Sequence, residues 1–186
     1  MRTNVIATAV ATLLIIAACG GKSEVIEPDP TSTEPSAASP SEPSPTPPEL
    51  PATAEDPSAT GAATFVRYWL EVSDFASWTG NTQLLEKIST EDCAGCRKYI
   101  DYYGQIYRAG GRLLGGRQEM TSAKVATRSG DSSVVLVRAE VKVAEGKVQT
   151  SRAAKITATP AEMNRLVFRV LRTQRGWILE EVGLDR

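Results

Sequence analysis

Two of the three cysteines in this chain lie close together in Glu91-Asp92-Cys93-Ala94-Gly95-Cys96-Arg97-Lys98-Tyr99, and a third, Cys19, ends an apolar run near the N-terminus. A CxxC spacing suits a dithiol redox centre, half of a tetrahedral zinc site, or a local crosslink. None of the 186 residues is histidine, which removes Ser-His-Asp and Cys-His catalysis together with the commonest metal ligand. Two thiolates fall short of the four ligands zinc takes, so no metal and no other cofactor is expected. Redox use has one feature in its favour: Cys93 opens a helix, where the macrodipole, Arg97 and Lys98 would acidify a thiol. Against it, a thioredoxin-like site needs a strand running directly into the CxxC within a βαβ frame. Here a helical turn precedes the motif, Glu91-Asp92 place negative charge beside it, and antiparallel strands follow. The glycines of Ala109–Arg117, AGGRLLGGR, lack the Lys-Ser/Thr of a phosphate-binding loop and follow a helix, so they read as turn chemistry. No catalytic residue emerges from these patterns.

The chain begins MRTNVIATAVATLLIIAACGG. Arg2 precedes an apolar stretch, Val5 to Ala18, that as a helix would extend about 21 Å against a hydrocarbon core of about 30 Å. That is a secretory signal rather than a permanent span. Its end, Ile16-Ala17-Ala18-Cys19, resembles the lipobox of bacterial lipoproteins. The resemblance implies removal of residues 1–18, transfer of diacylglycerol to the Cys19 sulfur, and acylation of the new amino group in many species. Two or more acyl chains, at about 0.8 kcal/mol per buried CH₂, would make attachment stable. The expected partner is therefore a membrane, contacted through lipid on its extracytoplasmic face. In that compartment paired thiols are normally oxidised. A Cys93–Cys96 disulfide closing a four-residue loop is thus the expectation, worth about 2 kcal/mol by chain entropy. An envelope thiol-disulfide protein using the same pair is the alternative.

Residues 19–60 form the next segment. It holds ten of the eleven prolines and many Ser and Thr, and no aromatic residue occurs before Phe65. Such a stretch buries too little to offset chain entropy, which predicts a disordered tether with polyproline II character. Residues 21–60 carry eight acids against Lys22, whereas residues 61–186 carry 19 Lys and Arg against 14 acids. The near-neutral total hides an acidic tether and a mildly basic domain. No basic run is interleaved with aromatics, so nucleic acid is not an expected partner.

Residues 61–186 have the length of one domain. Phe65, Tyr68, Trp69, Val72, Phe75 and Ala76 recur at helical spacing, with Gly80 placed to end the helix. A short helical turn follows in TQLLEKI, with Asn81 as its cap. Ser89 and Thr90 before Asp92 suggest a capping box for a third helix reaching about Arg108. One face of that helix carries Cys93, Cys96, Tyr99, Ile100, Tyr103, Ile106 and Tyr107. The period then changes to two: Val135 to Val143 alternate as a half-buried strand, partnered by Thr121 to Arg128 across Ser129-Gly130-Asp131. Glu145-Gly146 turns the chain into Lys147–Thr150, and Leu166–Arg172 and Trp177–Val182 flank a turn at Gln174-Arg175-Gly176. Ser151–Met163 reads as a loop.

Helices followed by an antiparallel meander give an α+β domain with helices packed on one sheet face. This order, ending in Gly176-Trp177-Ile178-Leu179-Glu180-Glu181-Val182, resembles the NTF2-like (cystatin-like) cone, with its curved antiparallel sheet. FVRYWLEVSDFASWTGN, DCAGCRKY, AGGRLLGGR and RGWILEEV also resemble a family of actinobacterial membrane lipoproteins. In that family a lipobox and Pro-rich linker precede a domain of unknown function. The resemblance brings no catalytic residues. The NTF2-like resemblance implies a pocket between helices and sheet, for which Trp69, Tyr99, Tyr103, Tyr107 and Trp177 are the candidates, with Tyr102 and Asp101 beside them. The expected role is a lipid-anchored, noncatalytic binding or interaction domain. Its partner would be another envelope protein or a small molecule.

Overall fold

The computed structural model describes residues 45–128 and 131–185. The signal segment, Cys19, the tether up to residue 44 and Ser129-Gly130 of the expected turn lie outside the described residues.

Helix α1, Ala59–Thr79, has good capping chemistry at both ends. Ser58 Oγ accepts from the Gly61 N–H at 3.1 Å, and Gly80, at φ 73°, donates its N–H to Ala76 O at 2.8 Å. Both bonds satisfy groups that a helix end leaves open, and the left-handed C-cap is a natural glycine position. The expected stripe of Phe65, Trp69, Val72 and Ala76 is buried, but so are Val66, Leu70, Ser73 and Asp74. α1 is enclosed on nearly all sides and forms the centre of the core rather than a one-sided amphipathic helix. Helix α2, Gln83–Lys87, is short, and Asn81 Oδ1 accepts from Gln83 N at 3.2 Å. Helix α3 spans Ala94–Arg108 and buries Cys96, Tyr103 and Ile106 on the predicted face. Its cap differs from the expected box. Cys93 Sγ accepts from Cys96 N at 3.1 Å, while Ser89 Oγ is taken by Trp69 Nε1 at 2.9 Å.

Seven strands follow: β1 Arg112–Gly115, β2 Gln118–Arg128, β3 Asp131–Val143, β4 Gly146–Gln149, β5 Thr157–Thr159, β6 Glu162–Thr173 and β7 Gly176–Leu184. A four-stranded antiparallel sheet runs β2-β3-β6-β7, and a second sheet runs β1-β4-β5. Bulges between Met120 and Ser122 and between Arg169 and Val170 bend and twist the larger sheet. Val135, Val137, Ala139 and Val141 alternate inward from β3, and Leu166, Phe168 and Val170 do so from β6. The result is the anticipated α+β, NTF2-like layout of N-terminal helices against an antiparallel sheet.

Three expectations need correction. β3 pairs with β6 rather than with the segment after Glu145-Gly146, so the sheet is not a simple meander. β4 turns away and pairs with β1, which lies inside the glycine-rich Ala109–Arg117 and makes it more than a turn. The Ser151–Met163 loop contains β5 and the start of β6. The packed chain also begins before Gly61. A 3-10 helix covers Ala52–Glu55, Ala54 is buried, and Trp177 Nε1 donates to Asp56 O at 2.9 Å.

The last strand joins the helices to the sheet. Ser89 bridges Leu179 in parallel, Thr90 N donates to Leu179 O at 2.8 Å, and Leu179 N donates to Ile88 O at 3.0 Å. The Cys93–Cys96 disulfide, with Cα atoms 5.2 Å apart, lies just beyond this clamp.

Candidate functional site: a tyrosine-walled cleft

A cleft of about 530 Å³ opens between α3 and the two sheets. Helical geometry explains one wall. Lys98, Tyr99, Tyr102 and Tyr103 fall at i, i+1, i+4 and i+5, so two i,i+4 pairs project side by side. Strand geometry explains the opposite wall. Glu162, Asn164 and Leu166 are alternate residues of β6, and Val141 and Val143 are alternate residues of β3. Register places Val141 beside Asn164 and Val143 beside Glu162. The smaller sheet closes one side with Leu113, Leu114 and Lys147. Gly115 and Gly116, both in the left-handed region, let β1 end there, and Trp78 Nε1 holds the Gly115 carbonyl at 3.0 Å.

Behind the cleft lies a buried polar cluster. Gln118, which lines the cleft, donates its backbone N–H to Asp74 Oδ2 at 3.0 Å and Oδ1 at 3.2 Å. Its side-chain Nε2 reaches Asp74 Oδ1 and Ser73 Oγ, each at 3.1 Å. Ser73 Oγ also lies 3.0 Å from the Tyr103 hydroxyl. Burial raises the Asp74 carboxyl to about 6. The Gln118 hydrogen bonds and Arg117 pull against that shift, and Glu71 adds to it. Burial likewise raises the Tyr103 hydroxyl, and it raises Tyr99 with a contribution from Glu162. These phenols are therefore neutral hydrogen-bonding groups around neutral pH.

The structure brings together only part of the predicted pocket. Tyr99 and Tyr103 line the cleft, as does Tyr102, whereas Asp101 is exposed and not among the lining residues. Tyr107 is half-buried and donates to Ser77 O at 2.8 Å, bracing α3 against α1. Trp69 is inaccessible, packed edge-on to Tyr99 and Phe168, so it is core and not lining. Trp177 belongs to a second, wider cavity of about 1030 Å³ with Leu50, Phe65, Lys87, Arg172 and Arg175. Its ring is already covered by the Arg172 guanidinium, 5.3 Å from the centroid. Sequence reasoning missed Asp74, Gln118, Leu113, Leu114 and Lys147. For Asp74 the spacing pointed the other way: it follows the exposed Arg67 and Glu71 of α1 at i+7 and i+3, and it is buried where Gln118 covers it. For Leu113 and Leu114, the flanking glycines concealed a strand.

Cys93 and Cys96 are 0% and 1% exposed and belong to the hydrophobic core. Thiol exchange needs an accessible sulfur, and neither atom offers one while α3 stays docked. Among the described residues, no helix is long and apolar enough to cross a membrane.

Among solved structures, the chain is similar to the intermembrane space region of the chloroplast protein ARC6. Identity is 14%, and the TM-score is 0.54 over 68% of this chain and 95% of that one. It is also similar to an uncharacterized protein with a cystatin-like fold from Caulobacter vibrioides. There identity is 11%, with a TM-score of 0.41 over 67% of this chain and 87% of that one. At such identities the likeness concerns fold, and fold does not fix function. No curated protein matches the chain in sequence. Residues 33–183 match the family of unknown function DUF6318, a stretch that includes the helices, both sheets except Leu184, and every residue of the cleft. The chain therefore belongs to the DUF6318 family.

Proposed function

We propose that this protein is an exported, lipid-anchored binding module. An acylated Cys19 holds it on the extracytoplasmic face of a membrane, and the folded domain binds a small molecule in the α3–sheet cleft without transforming it. The observation carrying this reading is the cleft itself, since a solidly packed helix–sheet interface would leave no such space. Its size falls within the range of about 300–1,000 Å³ usual for ligand sites. Two features favour binding over chemistry. The lining has no nucleophile paired with a base: its ionisable groups are Lys98, Lys147, Glu162 and the tyrosines. Among the described residues, the one carboxyl tuned near neutrality, Asp74, has both oxygens engaged by Gln118 and does not line the cleft. The buried disulfide fits a staple better than an exchange site.

The anchor is tested by Cys19→Ala. The variant should move from the membrane to the soluble fraction and lose incorporation of labelled acyl chains; continued membrane attachment would sink that half of the reading. The cleft is tested by screening small compounds against the full chain by NMR. Shift changes at Tyr99, Tyr103, Val141 and Leu166 are expected for binders. A folded protein in which no compound moves those resonances has no binding cleft there.

A further inference from the structure

The groups around the cleft are unequal in hydrogen-bonding capacity. The Lys98 and Lys147 ammoniums and the Tyr99 and Tyr102 hydroxyls have no hydrogen-bond or ion-pair partner among the described residues. The one carboxylate of the lining, Glu162, already accepts from Asn164 Nδ2 at 2.9 Å. With two ammoniums against one carboxylate, the local charge of the lining is positive. The interior is different in kind. Val141 and Leu166 are buried at its floor, and Tyr99, Tyr102 and Tyr103 meet at ring-centroid distances of 5.9–6.2 Å along its wall. We infer that the cleft takes a small amphiphile with a planar apolar body and an anionic oxygen head, the body among the tyrosines and the head held by Lys98 and Lys147. This rests on the reading of the cleft as the binding site.

The alternatives match less of the lining. A cation would face two ammoniums against one carboxylate. A uniformly polar sugar would leave the Val141–Leu166 floor and the aromatic wall poorly covered. The wider cavity also has cations, Lys87, Arg172 and Arg175, but its Trp177 ring is covered by Arg172, the indole N–H is taken by Asp56, and Phe65 and Tyr68 are only 2% and 5% exposed. Of these two cavities, the α3 cleft offers the guest's apolar body the more open aromatic wall, with Tyr102 47% exposed.

The test uses the full-length chain in phosphatidylcholine nanodiscs, with empty discs as the blank. Equilibrium dialysis at pH 7.5 compares three probes sharing one ring system: 2-naphthoate, naphthalene-2-methanol and 2-naphthylmethylammonium. The naphthoate should bind at least about tenfold more tightly than the other two and weaken as NaCl is raised. K98Q/K147Q, which changes two exposed residues, should lower naphthoate affinity about threefold to thirtyfold. Arg175→Gln, in the other cavity, should leave it unchanged. If the alcohol or the ammonium binds as well as the naphthoate, the anionic head is wrong while the cleft remains a binding site. A naphthoate preference that survives K98Q/K147Q, or that is lost in Arg175→Gln instead, overturns the assignment to this cleft. Binding of none of the three overturns both the inference and the reading beneath it.

Discussion

Asp74 is the residue whose environment most alters its chemistry. It is 4% exposed, and its carboxyl is raised from 3.8 to about 6 chiefly by burial. The folded chain then keeps a proton that the unfolded chain releases between about pH 4 and pH 6. Stability attributable to Asp74 is therefore greatest below pH 4 and declines as pH rises, by up to about 3 kcal/mol at pH 7. Urea denaturation of wild type and Asp74→Asn at several pH values isolates this term. The wild type should gain on the variant by roughly 2–3 kcal/mol on going from pH 7 to pH 4, and a pH-independent difference would refute the assignment. Gly95, inside the CxxC, is constrained for a different reason. A Cβ there would land on the Val182 carbonyl oxygen of β7. Gly95→Ala should lower stability by roughly 2 kcal/mol or more, read by the same denaturation, because α3 would have to lift from the sheet. The cysteines were legible as a pair and Cys96 as a buried position. The close approach at Gly95 was not, because its cause, Val182, lies far along the chain.

At the scale of elements, local periodicity was informative and pairing was not. α1, the buried face of α3, and the alternation of β3, β6 and β7 all follow from spacing within a single segment. The partnership of β3 with β6, across β4 and β5, depends on contacts that no local window records. β1 and β5, four and three residues long, are too short to express a period and are strands only because β4 lies between them. Half of the cleft stands on these poorly legible elements, which is why its α3 wall could be anticipated and its Leu113, Leu114 and Lys147 side could not. The disulfide acts at this scale too. It pins the first turn of α3 where that helix meets β7. Cys93→Ala with Cys96→Ala should reduce stability by about 2–4 kcal/mol, combining loop entropy with lost buried volume. The same double variant, assayed for disulfide reductase activity, should have none to lose. Activity present in wild type and abolished in a still-folded variant would restore the redox alternative.

For the whole molecule, the sequence divides into an acidic, proline-rich approach and a mildly basic domain. The domain gathers its N-terminal residues onto its C-terminal strand. Asp56 is held by Trp177, Ile88 and Thr90 by Leu179, and the disulfide turn abuts Val182. During synthesis, residues 52–108 emerge well before residues 176–184, so α1 to α3 lack the partners that β7 supplies until that strand has been made. The contacts that join the helices to the sheet can close only after β7 has emerged.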